Sequence, residues 1–172
     1  MAHFFASPPA ESPPAEMSGE LTSQALRDYA ISLLARREYS ASELRERCLK
    51  KRGDIGRIDE MIATLQKEGL QSDRRFAELF VRGRIARRQG MRRILSELKL
   101  KGVSDTLAKE ALRTEETDWY ALASEALVAR FPTPPCDQKE RTRRQRFLAG
   151  RGFDYAQIAY AVNNAWCDRG GN

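Results

Sequence analysis

The chain has 172 residues, with 30 Lys or Arg against 24 Asp or Glu, a net charge of +6 and one histidine. A single histidine, at position 3, excludes Ser-His-Asp and Cys-His catalysis, and no apolar run approaches the roughly 18 residues of a membrane span. Seventeen leucines and 22 alanines against four valines and seven isoleucines favour helix over sheet, because β-branched residues are the strand formers.

Residues 1–22 hold Pro8, Pro9, Pro13 and Pro14 among Ala, Ser and Glu, a composition that predicts a disordered tail. They lack the basic start and sustained apolar core of a secretory signal. They also contain three acids and no Lys or Arg, which leaves +9 on the remainder. From Ser23 the pattern is helical, with Leu26, Tyr29, Ala30, Leu33 and Leu34 on one stripe. Ser40 to Glu43 reads as a capping box in which hydroxyl and carboxylate satisfy each other's backbone amides, and Leu44, Cys48 and Leu49 follow as its inward face. Gly53 and Gly56 break that helix. Ile58, Met61, Ile62 and Leu65 make a third, closed by Gly69 with Leu70 beyond it.

Ser72 or Asp73 caps the next helix, whose stripe is Phe76, Ala77, Phe80, Val81 and Ile85. Gly90 stops it and Met91 opens another, with Ile94, Leu95 and Leu98 inward and Gly102-Val103 at its end. Ser104 caps a helix holding Leu107, Ala108, Ala111 and Leu112, and Asp118 caps one holding Leu122, Ala123, Ala126 and Leu127. Phe131 to Pro135 is a stiff connector. A basic helix then runs to Gly150, and a last one from Asp154 to about Trp166.

These segments repeat. Tyr29-Ala30, Phe76-Ala77 and Leu122-Ala123 are 47 and 46 residues apart. Each is followed at the same offsets by an apolar pair and then by an arginine (Arg37, Arg84 or Arg130). The reading is an all-α, elongated array of three tandem three-helix repeats. It comprises a tail over 1–22, repeats over 23–71, 72–114 and 115–168, and a short terminus over 169–172. A unit of about 45 residues buries too little apolar surface to stand alone, so neighbours must pack together. Three such units in a row span roughly 70 Å by the domain-size relation, which suits a long groove better than a small-molecule pocket.

Site chemistry is sparse. There is no phosphate-binding G-x-x-x-x-G-K-[ST] loop. Cys48, Cys136 and Cys167 are far apart and odd in number, so neither a disulfide framework nor a zinc pattern fits, and they read as reduced thiols of a cytoplasmic protein. Neither cofactor nor metal is expected. The informative residues are arginines. Arg82, Arg84, Arg87, Arg88, Arg92 and Arg93 lie in a stretch with eight Lys or Arg and one acid, Glu97, between positions 82 and 101. Arg141, Arg143, Arg144, Arg146 and Arg151 form a second cluster. Their planar forks suit phosphates and carboxylates; the plainer alternative is a solvated helix surface. Trp119, Trp166, Tyr155 and Tyr160 have the spacing of core residues, with base stacking as the alternative.

The run D-x-R-F-A-x-x-F-V-x-x-R from Asp73, followed by G-x-x-x-I-x-x-E-L-x-x-K-G-V to Val103, resembles the central repeat of the RecX family, regulators of the RecA recombinase. The likeness extends through Leu34-Ala-Arg-Arg-Glu-Tyr-Ser-Ala-Ser-Glu-Leu44 and Arg146-Phe-Leu-Ala-Gly-Arg-Gly-Phe153, and covers nearly everything from Ala25 to Trp166. It implies a non-enzymatic helical protein that binds RecA filaments on single-stranded DNA along their helical groove. Such a protein limits filament growth, ATP hydrolysis, strand exchange and co-protease function. A monomer with weaker direct DNA contact and no membrane association is the matching expectation. A helix-turn-helix transcriptional regulator is the alternative, with Ser40 to Leu70 as the motif and Ile58–Leu65 as recognition helix.

Overall fold

The computed structural model describes residues 22–167, and the expected tail over 1–22, apart from Thr22, and the terminus over 169–172 lie outside them. Among the described residues there are nine helices and no strand. They are α1 (Ser23–Leu34), α2 (Ala41–Lys50), α3 (Ile55–Lys67), α4 (Asp73–Ala86), α5 (Met91–Leu100), α6 (Asp105–Thr114), α7 (Trp119–Arg130), α8 (Gln138–Arg151) and α9 (Tyr155–Asn164). Thr22, Ser40, Asp54, Ser72, Ser104, Asp118, Asp137 and Asp154 each accept a first-turn amide with a side-chain oxygen. Each such cap satisfies a donor that would otherwise be orphaned. Only α5 starts without one, at Gly90.

The helices form an elongated array of three three-helix units, each with its own core. Leu26, Leu44, Cys48, Ile58 and Leu65 are fully buried in the first. Val81, Ile94, Leu98 and Val103 anchor the second, and Leu127, Leu148, Phe153 and Val162 the third. The first core shares no residue with the other two, whereas Ile85 and Trp119 pack against both the second and the third.

Several local readings need correction. Leu49 is exposed rather than inward. Gly56 lies in the first turn of α3, so the break after α2 falls at residues 51–54. The helix before Gly90 ends at Ala86 because Arg88 takes a left-handed conformation (φ 54°). Ser40 caps α2 at 3.1 Å, but Glu43 does not return the bond to the Ser40 amide. Glu43 instead meets Lys101 Nζ at 2.6 Å and Arg37 at 3.4 Å. The reciprocal box occurs at Asp154 and Gln157, at the start of α9.

Both junctions use one device: the turn after a unit's second helix seats against the start of the preceding unit's second helix. In the first junction the Lys101 carbonyl accepts from Ser40 Oγ at 2.7 Å, and a Cβ on Gly102 would lie 2.5 Å from Ser42 Cβ. Asp73 adds a clasp, accepting from the Ala41 amide at 2.9 Å and from Gln71 Nε2 at 2.8 Å. In the second junction the Arg151 carbonyl accepts from the Gly90 amide at 2.8 Å and the Gly152 carbonyl from Arg92 N at 3.1 Å. Gly102 (φ 74°) and Gly152 (φ 91°) are left-handed there. The matching turn of the first unit, which seats against no other unit among the described residues, carries Arg52 at φ 60°.

Glu43 is expected to make the first junction acid-sensitive. Burial pushes its carboxyl up, but the Lys101 ammonium and then Arg37 outweigh burial and hold it below its ordinary 4.5. A depressed folded pKa adds stability that is fully present above 4.5 and is lost as pH falls through the lower folded value. Wild-type protein is therefore expected to lose melting temperature below about pH 4.5 more steeply than Glu43→Gln. Parallel acid limbs in thermal melts of the two would show that the Lys101 pair does not couple to folding.

Candidate functional site

The two arginine clusters meet at the second junction through Arg151. Arg151 reaches back from the end of α8 and donates to the Arg87 and Arg88 carbonyls at 2.7 and 3.2 Å. Arg93 donates to the Gly150 carbonyl at 3.1 Å. The turn between α4 and α5 is thus held against the end of α8, and residues some sixty positions apart share one surface.

Much of the expected cationic face is neutralised from within. Arg82 pairs with Glu115 at 2.9 Å. Arg84 Nε lies 2.7 Å from Glu97 as an ion pair, though out of line for a hydrogen bond, and its guanidinium sits over Phe80. Arg93 takes the other Glu97 oxygen at 2.9 Å, and Arg88 approaches Glu125 at 3.7 Å. In the second cluster Arg141 bonds Asn163. Arg144 does not face outward: it is 4% exposed, pairs with Glu140 at 3.0 Å and lies between the rings of Phe131 and Trp166. That is the position of a core cation, not of a surface contact.

What remains is a smaller set. Arg87, Arg92, Arg143 and Arg146 are exposed and have no ion pair among the described residues. Arg87 and Arg92 flank the turn that receives α8, and Arg143 and Arg146 lie one helical turn apart on α8 itself. Arg87 and Arg92 carry uncompensated charge at the junction, and Arg143 and Arg146 carry it along α8, where a polyanion or an acidic protein surface would find it. The arginines that recur in the repeat have an internal role that spacing did not reveal. Arg37, Arg84 and Arg130 lie over the rings of Tyr39, Phe80 and Phe131 at 3.7, 4.5 and 5.2 Å, a cation–π arrangement common to the three units.

The aromatic residues divide. Trp119 and Trp166 pack against the cores, as their spacing predicts. Tyr155 and Tyr160 do not: Tyr155 is 85% exposed, and Tyr160 stands edge-on to Tyr120 at the surface. No group of three or more His, Cys, Asp or Glu suited to a metal occurs among the described residues, and no helix there is long and apolar enough to cross a membrane. The outward positions of α3 include the acids Asp59 and Glu60, and Asp59 is paired with Arg45 at 2.6 Å. This is a poor face for a recognition helix against phosphates.

Comparison with known proteins gives a consistent result. Residues 72–112 match the family model described as RecX, second three-helix domain, and residues 116–162 that of RecX, third three-helix domain. Regulatory protein RecX of Chromohalobacter salexigens is 51% identical over 140 residues, covering 81% of this chain and 92% of the relative. Regulatory protein RecX of Halorhodospira halophila is 41% identical over 141 residues, covering 81% and 88%. The crystal structure of RecX from Lactobacillus salivarius superposes with a TM-score of 0.70 at 21% identity, covering 83% of this chain and 96% of that one, a likeness of fold.

Proposed function

This chain belongs to the RecX family of regulatory proteins, and from that membership we propose that it binds RecA filaments on single-stranded DNA in the cytoplasm. It lies along the filament's helical groove as a monomer and limits filament extension, so that ATP hydrolysis, strand exchange and co-protease activity fall and recombinational repair is regulated. It does this by occupancy, with no catalytic step of its own. The observation that carries the reading is the set of unpaired arginines, Arg87 and Arg92 at the second junction and Arg143 and Arg146 along α8, on an elongated array. A row of units presents charge along a length, which a groove can use and a compact pocket cannot.

The test is capture by RecA filaments assembled on immobilised single-stranded DNA at moderate salt, against naked duplex as control. Retention on the filament with little on duplex is the expected result. Retention on duplex alone would favour the helix-turn-helix reading and overturn this one.

A further inference from the structure

We propose that the hollow between the first turn of α5 and the α8–α9 turn is a binding site for single-stranded nucleic acid, with a base stacked on Tyr155 and an adjoining phosphate held by Arg92. The hollow measures about 510 Å³ and is lined among others by Arg92, Arg93, Gly150, Phe153, Tyr155 and Ile158. That is within the usual size of ligand sites, roughly 300–1,000 Å³.

Its two halves differ in kind. Phe153 is 1% exposed and Ile158 is buried, so both belong to the third core and form a fixed wall. Tyr155, the first residue of α9, is 85% exposed beside that wall. A lone exposed tyrosine is ordinary on a protein surface. One that borders a hollow with two arginines has the components of a stacking platform.

Arg92 is exposed and has no ion pair among the described residues. Arg93 is partly engaged by Glu97 and the Gly150 carbonyl. None of the lining residues is acidic, and the nearest carboxylate in sequence, Asp154, is occupied in capping α9. Backbone amides of Gly90 and Arg92 already bond Arg151 and Gly152, so an anion here meets guanidinium rather than a free helix end.

The pairing of cation and open ring distinguishes the ligand. A peptide carboxylate would use the arginine and leave the ring idle, whereas a nucleotide uses both at once. In a duplex the base faces are already stacked, so only an unpaired strand can supply one. Arg146, exposed on α8 one helical turn before the lining residues Ala149 and Gly150, offers charge for a neighbouring phosphate.

The experiment uses the full chain and a fluorescein-labelled oligo-dT, followed by anisotropy at low salt with no recombinase present. Wild type is expected to bind, with affinity falling as salt rises. Tyr155→Ala is expected to weaken binding about tenfold, the scale of one stacked base, while Tyr155→Trp retains it. Arg92→Ala is expected to weaken binding and reduce the salt slope by about one. Duplex of equal length and poly-glutamate are expected to compete poorly.

Equal binding by wild type and Tyr155→Ala, with both folded by circular dichroism, overturns the assignment. So does preference for duplex, poly-glutamate competing as well as oligo-dT, or failure of wild type to bind at low salt. The assignment rests on the direct DNA contact that the family resemblance implies, gives it a place on named residues, and is read without RecA. Its failure leaves the filament-capture result standing, and failure of capture leaves this one.

Discussion

Gly152→Val is expected to lower the melting temperature by about 10 °C and to loosen the third unit first. Gly152 sits at φ 91°, where a side chain costs roughly 1–2 kcal/mol. A Cβ there would stand well under 3.0 Å from Arg93 backbone and Cβ atoms. Those atoms belong to a helix start and cannot swing aside, so overpacking adds roughly 1–3 kcal/mol. For a chain of this size each kcal/mol corresponds to roughly 2–4 °C. Gly90 faces Gly152 with equally little room, since a Cβ on it would meet the Gly152 carbonyl group. The Gly90 and Arg92 amides, which bond Arg151 and Gly152, are expected to exchange with deuterium faster in the variant, because local opening exposes them. Gly83→Ala is the control. Gly83 lies inside α4 with nothing within 4 Å of a new Cβ, so the change is expected to raise stability by about 0.5–1 kcal/mol. A Gly152→Val chain that melts and exchanges like wild type would mean that the third unit is not held by this turn.

The triple change Arg87, Arg143 and Arg146 to Glu is expected to reduce affinity for the RecA filament roughly a hundredfold while leaving the helical circular-dichroism signal intact. Each exposed contact is worth about 1 kcal/mol or less, so single changes are expected to be mild. Reversing three charges replaces attraction by repulsion, and a hundredfold corresponds to about 2.8 kcal/mol. Arg84 is a poor choice for this experiment despite its place in the basic stretch. A glutamate there would face Glu97, which Arg84 now neutralises at 2.7 Å, and the loss of fold would be mistaken for loss of binding. Wild-type binding is expected to weaken with added salt as screening shortens the reach of surface charge, and the triple variant to show a shallower dependence. A folded triple variant that inhibits RecA ATPase as wild type does would reduce these arginines to a solvated surface.

Features that act over three or four residues were legible without the structure. Ser104 and Asp118 cap helices where their spacing predicts, of the pair Ser72 and Asp73 it is Ser72 that caps α4, and the Ile58, Met61, Ile62 and Leu65 stripe is buried throughout. The errors have a common cause. Glu43 has the offset of a capping box, yet its stronger partner, Lys101, is 58 residues away, and an ammonium at 2.6 Å wins over a local amide. Gly90 looked like a stop signal; its smallness serves a contact with Gly152 across a junction that no local pattern encodes. The candidate site suffered most. An arginine's sequence neighbours do not reveal whether a distant carboxylate consumes its charge, so Arg82 with Glu115, 33 residues on, was indistinguishable from unpaired Arg87. Tyr155 was equally opaque, because the first turn of α9 can present it either to the core or to solvent.

The turn bearing Arg52 has a consequence for growth beyond the third unit. A row built by one repeated head-to-tail contact has no inherent end, and copies joined by that contact would form an open fibre. Two features of this chain's glycines and arginine bear on it. The seated turns carry Gly102 and Gly152, each with room for a hydrogen and nothing larger. The unseated turn carries Arg52 in the same left-handed geometry. To add its first unit to another copy's α8 in the same way, a chain would have to place the Arg52 Cβ where the seated glycines leave no space. By the measure of Gly102 and Gly152, the Arg52 side chain is expected to disfavour a further unit at that contact.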